Sequence, residues 1–311
     1  MARAAFASAV MFLAGAVVPV VGGAAMVFAP APVLGYSVGF PHALARMAVV
    51  VAVSALLVSL VAGFPAAAAY LVTFGIAAAV MCYMLERRQP FELIVLCATA
   101  TILVAGSLGA LAFAGSPSAL AQQLHHELIA GMVRGEKFYK TLGIEAAVSA
   151  DTRTTIVEAI VKLTPALVAL FSAVTILLNL AIFWRLSGKQ RRLGYTLFGD
   201  LVRWSAPEWL IWLLLVAGFG LFISLAPLGT IALDCFICVA AVYFCQGLAI
   251  MAFYFKLLGM PPLARGLIYF VTVVQPVLAV LVCVAGIFDL WIDFRRLKPP
   301  SEEARNLGNF L

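Results

Sequence analysis

The stretch Leu263–Pro299, LARGLIYFVTVVQPVLAVLVCVAGIFDLWIDFRRLKP, is a long apolar run with a single polar interruption at Gln275. Written as a helix at about 1.5 Å per residue, residues 265–292 extend roughly 40 Å, which exceeds a hydrocarbon core of about 30 Å. Trp291 suits the headgroup layer, and the basic residues after it suit the water beside anionic lipid. The stretch therefore predicts a membrane span with an anchored end.

The composition of the whole chain agrees with this reading. Hydrophobic residues make up 65% and charged residues 11% of the 311 positions, and the mean hydropathy is +1.10, which excludes an ordinary soluble domain. The net charge of +6 comes from short basic clusters between apolar runs. That pattern is typical of contacts with lipid headgroups, and we expect no nucleic-acid partner.

Eight apolar runs predict an all-α polytopic transmembrane bundle of about eight spans, formed as a single integral membrane domain over residues 1–311. We expect the first run to be a retained helix kinked at Pro19, because it is too long for a typical signal peptide. The runs cover residues 4–28, 42–63, 66–84, 91–114, 153–184, a sixth run that opens at Pro207, 230–255 and 265–292.

Three segments differ from the spans. Residues 116–160 predict an amphipathic, interfacial linker, whose apolar stripe consists of Leu120, Leu124, Leu128 and Met132. Residues 193–207 predict a short interfacial helix, and residues 299–311 a polar C-terminal tail. With both termini inside, the twenty Lys and Arg divide into ten on each side, so the positive-inside rule leaves the orientation open.

Several short motifs carry a resemblance that runs through nearly the whole chain. The most specific are Trp204-Ser205-Ala206-Pro207-Glu208-Trp209, Gly286-Ile287-Phe288-Asp289 and Asp293-Phe294-Arg295; Thr164-Pro165-Ala166-Leu167, Gln246-Gly247-Leu248-Ala249 and Gln275-Pro276 accompany them. In their order along the chain, these motifs resemble the YybS-like family of bacterial predicted membrane proteins. The resemblance implies a bacterial cytoplasmic membrane location. It also implies a fold similar to the S subunits of energy-coupling-factor vitamin transporters and to the rod-shape scaffold MreD.

Polar residues inside the apolar runs are the candidates for substrate binding, because each is costly in lipid without a partner or a cavity. Gln246 and Gln275 lie at similar distances from the turn near residue 260, so an antiparallel hairpin would bring them together at mid-membrane. Asp234 and Asp289 fall at matching levels by the same count, and Asn179 lies one to two turns inside its span. An interhelical hydrogen bond without a ligand is the alternative for these residues.

Asp289, Asp293 and Arg296 fall at i, i+4 and i+7, so a continuous helix would place them on one stripe where the acids pair with the arginine. The adjacent His125 and His126 diverge on a helix and make a poor chelate, so we expect no metal there. All six cysteines lie in apolar runs, where they behave as small hydrophobes.

The sequence shows none of the GxSxG, HExxH or P-loop motifs, and we expect neither an enzyme nor a cofactor. Two functions remain. One is a substrate-binding transporter subunit for a small molecule, working in the lipid bilayer with separate energising subunits. The alternative is a membrane scaffold or assembly factor without a ligand, for which an apolar groove replaces the polar cavity.

Overall fold

The structure, a computed structural model, describes residues 1–17, 19–141, 149–187, 197–198, 200–223 and 228–296. Its regular structure in these ranges is helical throughout, which confirms the all-α fold. The helices are α1 Ala2–Val17, α2 Pro19–Met26, α3 Pro30–Ser37, α4 Ala43–Ala62, α5 Phe64–Tyr70, a π-helical turn Leu71–Gly75, α6 Ile76–Glu86, α7 Phe91–Ala114, α8 Pro117–Thr141, α9 Ala150–Ser187, a 3₁₀ turn Leu201–Arg203, α10 Leu210–Gly220, α11 Leu228–Leu257, α12 Pro262–Val274 and α13 Pro276–Ile292.

In the described ranges, five helical segments are long and apolar enough to cross a membrane, or six if the bent pair α12–α13 is one span. This confirms a polytopic membrane protein. The expected count of eight is higher because the first, sixth and eighth runs form short or broken helices. The five segments are Ala43–Ala62, Phe64–Glu86, Phe91–Ala114, Asp151–Leu186 and Leu228–Leu257.

The chain divides into two compact units, Met1–Phe198 and Gly199–Leu311. We call them unit 1 and unit 2. Unit 1 contains α1 to α9, and unit 2 contains the 3₁₀ turn and α10 to α13. The expectation of a single domain stays a prediction, because two compact units can belong to one domain.

The first apolar run of unit 1 is a helical hairpin rather than a straight span. Helices α1 and α2 pack against each other so closely that a Cβ on Gly22 would overlap the carbonyl of Ala14. A Cβ on Gly15 would lie 2.7 Å from the Sδ of Met26. The contact at Gly22 is between two backbones and requires glycine, and Pro19, the first residue of α2, cannot donate to a preceding turn. The predicted kink is therefore a complete reversal.

Buried hydroxyl groups tie this hairpin to the rest of unit 1. Ser8 on α1 donates a 2.7 Å hydrogen bond to the carbonyl of Ala29, and its Oγ lies 2.7 Å from the Tyr70 hydroxyl on α5. Ser54 on α4 donates to the carbonyl of Ala5 at 3.2 Å. These bonds pair polar groups that lipid would leave unsatisfied, so they fix where α1 lies against α4 and α5.

Helix α8 has the two faces that the sequence predicts. Leu120, Leu124, Leu128 and Met132 lie on its partly buried side, whereas Gln122, Gln123, His126 and Arg134 are exposed. Arg153 on α9 and Glu136 on α8 form an ion pair at 2.6 Å. The location of this helix at the membrane surface stays a prediction.

The second predicted interfacial segment is described only in part. Residues 193–196 and 199 lie outside the described residues, and the remainder of 193–207 contains the 3₁₀ turn Leu201–Arg203. The polar tail 299–311 also lies outside the described residues. Both predictions therefore stay predictions.

In unit 2, α10 and α11 are antiparallel, whereas α11 and α13 run in the same direction. Gly220 faces Ala232 across the first pair, where an added Cβ would lie 2.7 Å from the alanine Cβ. Across the second pair, the Cys283 thiol donates to the Ala240 carbonyl at 3.2 Å, and the Tyr254 hydroxyl near the end of α11 donates to the Phe294 carbonyl at 3.1 Å. Residues further along α11 contact residues further along the chain from α13, so the two helices are parallel. The expected antiparallel hairpin is therefore wrong.

The break between α12 and α13 explains this reversal. Pro276 has no N–H to donate to the preceding turn, and Gln275 before it is extended, with φ −92° and ψ 109°. The two helices meet at a bend of 102°. Because α13 ends beside the end of α11, the pair returns to the side on which α11 ends. A pair bent in this way is a broken span or a re-entrant loop, and the parallel course of α11 and α13 favours the re-entrant loop.

Helix α12 carries its polar residues on the protein side and its apolar residues outside. Thr272 is buried and bonds the Ile268 carbonyl at 2.8 Å, and Arg265 bonds the Met260 carbonyl at 2.7 Å. Leu263 is 87% exposed and Phe270 is 65% exposed. An apolar outer face is what a lipid environment requires, since hydrocarbon solvates these side chains.

The contact between α11 and α13 depends on two glycines. A Cβ on Gly247 would overlap the Val282 carbonyl, and a Cβ on Gly286 would overlap the Tyr243 carbonyl. Both neighbouring atoms are backbone, so relief requires the helices to separate.

We expect Gly286→Ala to lower the stability of the purified protein by about 1–3 kcal/mol, because the added methyl group overpacks this contact. Gly266→Ala is the matched control, since a Cβ there meets nothing within 4 Å. It should be neutral or stabilise α12 by up to about 1 kcal/mol. Thermal unfolding in detergent measures both, and equal melting temperatures for the two variants would contradict the close packing.

Candidate functional site

Unit 2 contains a buried polar centre that consists of Gln246, Asp289 and Arg295. Asp289 Oδ2 accepts hydrogen bonds from Arg295 Nη2 at 2.7 Å and from Gln246 Nε2 at 3.1 Å. The side chains of Arg295 and Asp289 are 0% and 5% exposed, and Gln246 is 1% exposed. The ion pair is therefore almost completely withdrawn from both lipid and water.

The end of α13 brings Arg295 back onto Asp289. Asp293 adopts a left-handed conformation with φ 46° and ends the helix. The Phe294 N–H then donates to Asp289 Oδ1 at 3.0 Å. The predicted stripe of Asp289, Asp293 and Arg296 is wrong, because the helix stops before it can form. Arg295 takes the place expected of Arg296.

Gln246 on α11 links this ion pair to the segment before α10. Its Nε2 donates to Asp289, and its Oε1 accepts the Ala206 N–H at 3.0 Å. Ala206 lies outside any helix, so its N–H has no acceptor within a helical turn. The glutamine amide, with one donor group and one acceptor, serves both neighbours at once.

Arg295 serves the same segment from the other side. Its Nη1 donates to the carbonyls of Val202 at 2.9 Å and Trp204 at 2.8 Å. Three backbone groups of residues 202–206 thus find partners in the side chains of α11 and of the turn after α13. A buried non-helical backbone persists only where other groups of the protein satisfy its hydrogen bonds. The polar centre therefore holds residues 202–206 in place, and we call these three hydrogen bonds and the ion pair behind them the lock.

The chemistry of the centre favours structure over catalysis. Its single carboxylate faces a guanidinium, so the charges cancel, and both amide groups of Gln246 are engaged within the chain. Among the residues that the structure describes, no group of three His, Cys, Asp or Glu side chains is placed to hold a metal ion. His125 and His126 lie with ring centroids 6.4 Å apart at an angle of 89°.

The structure brings together only two of the five predicted site residues, Gln246 and Asp289. Gln275 is exposed at the break before α13, so its expected contact with Gln246 is wrong. Asp234 is twelve residues before Gln246 on α11, or about 18 Å along the helix. It is therefore not level with Asp289, because α11 and α13 run in the same direction. Whether any of these residues binds a substrate stays a prediction.

Asn179, the fifth predicted residue, is completely buried in unit 1. Its Nδ2 donates to the carbonyls of Val27 at 2.8 Å and Thr175 at 2.7 Å. Its Oδ1 and the Thr175 Oγ1 are buried with no hydrogen-bond partner in the described part of the chain. Asn179 therefore bonds to the turn between α2 and α3 rather than to another helix, and it leaves an unused buried acceptor one turn from the Thr175 hydroxyl group.

Unit 1 also contains a wide apolar groove between α4 on one side and α5, the π-helical turn and α6 on the other. Its volume is about 670 Å³, and we call it the α4–α6 groove. Apart from Ser59, its lining side chains are apolar, and many of them are small. They are Met47, Ala48, Val51, Ala52, Ala55, Leu56, Ser59, Phe64, Ala67, Leu71, Val72, Gly75, Ile76 and Ala79.

Sequence reasoning missed Arg295 and the backbone groups that it binds. The arginine follows the apolar run by three residues and looks like a headgroup anchor. Helical periodicity could not place it, because the chain leaves the helix at Asp293. The only signal was the Asp-Phe-Arg motif of the resemblance, which marks the position without giving its partner.

We expect Arg295→Met to destabilise the protein by about 3–5 kcal/mol, because it leaves the Asp289 carboxylate buried without its cation. Arg203→Met is the control. Arg203 pairs with Asp200 at 3.9 Å, its side chain is 71% exposed, and its loss should change the stability by less than about 1 kcal/mol. Thermal unfolding compares the two variants. If Arg295→Met proves as mild as the control, the lock is not what holds the segment.

The arrangement of buried polar groups and apolar outer faces is that of an integral membrane protein, and comparison with known proteins agrees. Neither a curated protein nor a solved structure matches the chain. A family model does match over residues 6–290, and its description is "Predicted membrane protein (DUF2232)". The chain therefore belongs to this family of predicted membrane proteins.

Proposed function

We propose that this multi-pass membrane protein is a scaffold or assembly subunit that holds a transmembrane helix of another protein in its α4–α6 groove. We place it in the bacterial cytoplasmic membrane, as the resemblance of its motifs to the YybS-like family implies. It catalyses no reaction and carries no cofactor in this proposal. The α4–α6 groove is the observation that carries it.

One wall of the groove is a ladder of small side chains on α4. Ala48, Ala52, Ala55 and Ser59 follow one another at i, i+4, i+7 and i+11, so they occupy one face over about 17 Å. Small residues let helix backbones approach closely, which is the main source of van der Waals contact between helices in a membrane. The ladder therefore suits a partner helix of three turns or more.

The opposite wall contains the π-helical turn Leu71–Gly75. Leu71, Val72 and Gly75 from this turn line the groove, and a Cβ on Gly75 would lie 3.1 Å from a methyl group of Val51. A π-turn inside an α-helix widens the helix locally and is often found at functional sites. Here it shapes the wall that faces the ladder.

A helix explains these walls better than a lipid chain does. An acyl chain adapts to any apolar surface and has no need of aligned small residues, whereas a helix requires a straight, shallow wall. The rim of the groove also offers large side chains for contact, since Leu56 is 60% exposed and Phe64 is 78% exposed. A groove lined without charge implies an apolar partner helix.

A photo-crosslinking amino acid at position 52 should attach to the apolar helix of a distinct protein when the chain is expressed in cells. Ala52 is exposed inside the groove, and Ala69 on α5 is an exposed alanine outside its lining. The adduct should form from position 52 and not from position 69. Mass spectrometry of the crosslinked peptides identifies the span that was captured.

Ala52→Phe should abolish the co-purification of that protein, whereas Ala69→Phe should leave it intact, because only the former fills the groove. Crosslinks from position 52 to lipid alone would show that acyl chains occupy the groove. Crosslinks to a second copy of this chain would replace the scaffold by a homo-oligomer. Either result contradicts the proposal.

A substrate-binding transporter subunit is the second candidate, and Asn179 is the observation that favours it. The buried Asn179 Oδ1 and Thr175 Oγ1 offer an acceptor and a hydroxyl group without partners in the described residues. Such groups suit a small polar molecule enclosed in the bundle. The resemblance to S subunits makes water-soluble vitamins the first compounds to test.

A vitamin that binds at Asn179 should raise the melting temperature of the wild-type protein in detergent. Asn179→Ala should remove that shift, whereas Ser116→Ala, in the bend before α8, should retain it. The absence of a shift with every vitamin tested would count against the transporter function and leave the scaffold standing.

A further inference from the structure

Arg46 is held by two aromatic rings at the start of α4. Its guanidinium carbon lies 4.5 Å from the ring centroid of Tyr36 and 4.4 Å from that of Phe40. Both distances are within the range of cation–π attraction, which acts on the face of the guanidinium group. The rings therefore orient the group and leave the edge formed by its two Nη atoms without a partner in the described part of the chain.

Arg46 is oriented to bind an anion, but the described part of the chain supplies none. Arg46 has no ion-pair partner among the described residues, and its Nε is buried without an acceptor. The nearby carboxylate of Glu86 instead accepts the Gly39 N–H at 2.7 Å. A positioned guanidinium without an acceptor in the described part of the chain favours an anion from outside the chain.

The position of Arg46 along α4 indicates the depth of this site. Arg46 is the fourth residue of the span Ala43–Ala62, so it lies one turn from the membrane end of the helix. Tyrosine at this level is typical of the interface between hydrocarbon and headgroups. His42 precedes the helix without a side-chain cap, so the positive end of the helix dipole adds to the field.

We infer that Arg46, with Tyr36 and Phe40, forms a binding site for the phosphate group of an anionic phospholipid. The guanidinium presents two parallel N–H donors that match two phosphate oxygens, a geometry that lysine cannot reproduce. The rings supply its orientation, and the apolar surface below it receives the acyl chains. This site is independent of the α4–α6 groove, so the failure of one leaves the other untouched.

Native mass spectrometry of the protein with phosphatidylglycerol and phosphatidylcholine tests the site. We expect the wild-type protein to retain phosphatidylglycerol at least fivefold more than phosphatidylcholine. Arg46→Gln and Arg46→Lys should both lose most of this preference, because the first removes the charge and the second removes the planar fork. The double variant Tyr36→Leu, Phe40→Leu should lose it too, since the arginine then has nothing to orient it.

Arg87→Gln is the matched control, since Arg87 lies 4.5 Å from the ring of Tyr83 but is exposed. It should keep the preference. An equal loss in Arg46→Gln and Arg87→Gln would show diffuse attraction by surface charge and overturn the site. Unchanged preference in the double variant, with Arg46 present, would overturn the role of the rings. Melting temperatures measured in parallel separate loss of lipid from loss of fold.

Competition with inorganic phosphate distinguishes a site for the free phosphate ion from a site for the phosphate group of an intact lipid. If millimolar phosphate displaces phosphatidylglycerol from the wild type but has no effect on Arg46→Gln, the phosphate group alone is recognised. If only the intact lipid binds, the acyl chains are part of the ligand. Retention of phosphatidylglycerol that is equal in wild type and Arg46→Gln would contradict the inference in either form.

Discussion

Buried backbone groups outside a helix must find hydrogen-bond partners elsewhere in the protein, and unit 2 depends on how its groups are satisfied. Residues 202–206 are in a 3₁₀ turn and an extended segment, and their free groups bond to Gln246 and Arg295. Asp289 then holds both of these side chains. The buried ion pair gains hydrogen bonds from the irregular backbone, and the backbone gains partners from the side chains around the ion pair. Each therefore offsets the cost of burying the other.

Close backbone contact plays the corresponding role between helices. Lipid removes the hydrophobic drive for helix association, so contact area and hydrogen bonds must supply the attraction. Gly22 brings α2 against α1, and Gly247 and Gly286 bring α11 against α13. Gly286 is three residues before Asp289 and Gly247 directly follows Gln246, so both close contacts lie within about one turn of the polar centre. Separation of these helices would therefore disturb the hydrogen bonds of Gln246 as well.

The sequence predicted what periodicity and hydropathy control and missed what depends on chain direction. The amphipathic faces of α8 and the long apolar helices follow from local pattern, and the structure contains both. The pairing of Gln246 with Gln275 failed because the Pro276 break turns α13 parallel to α11, which no count of residues from a turn can reveal. The sequence placed Asp289 level with Asp234 on α11, whereas Asp289 bonds to Gln246, twelve residues further along that helix. Arg295 was missed because it lies beyond the end of α13.

The two units differ in what they offer to a ligand. In unit 2, Gln246 and Asp289 are occupied by the chain itself, so a ligand would have to break the lock to reach them. In unit 1, Arg46 and Asn179 keep buried polar atoms without partners in the described residues, as the Tyr243 hydroxyl and the Arg295 Nε do in unit 2. Unit 1 also has the α4–α6 groove, which presents small residues to its surroundings. A buried polar atom without a partner costs free energy. An apolar groove in a membrane is solvated by lipid, so it is the small residues along the groove that favour the close approach of a helix. The proposed recognition of lipid, helix or small molecule therefore belongs to residues 1–198. In residues 199–311, the buried polar centre holds an irregular segment in place.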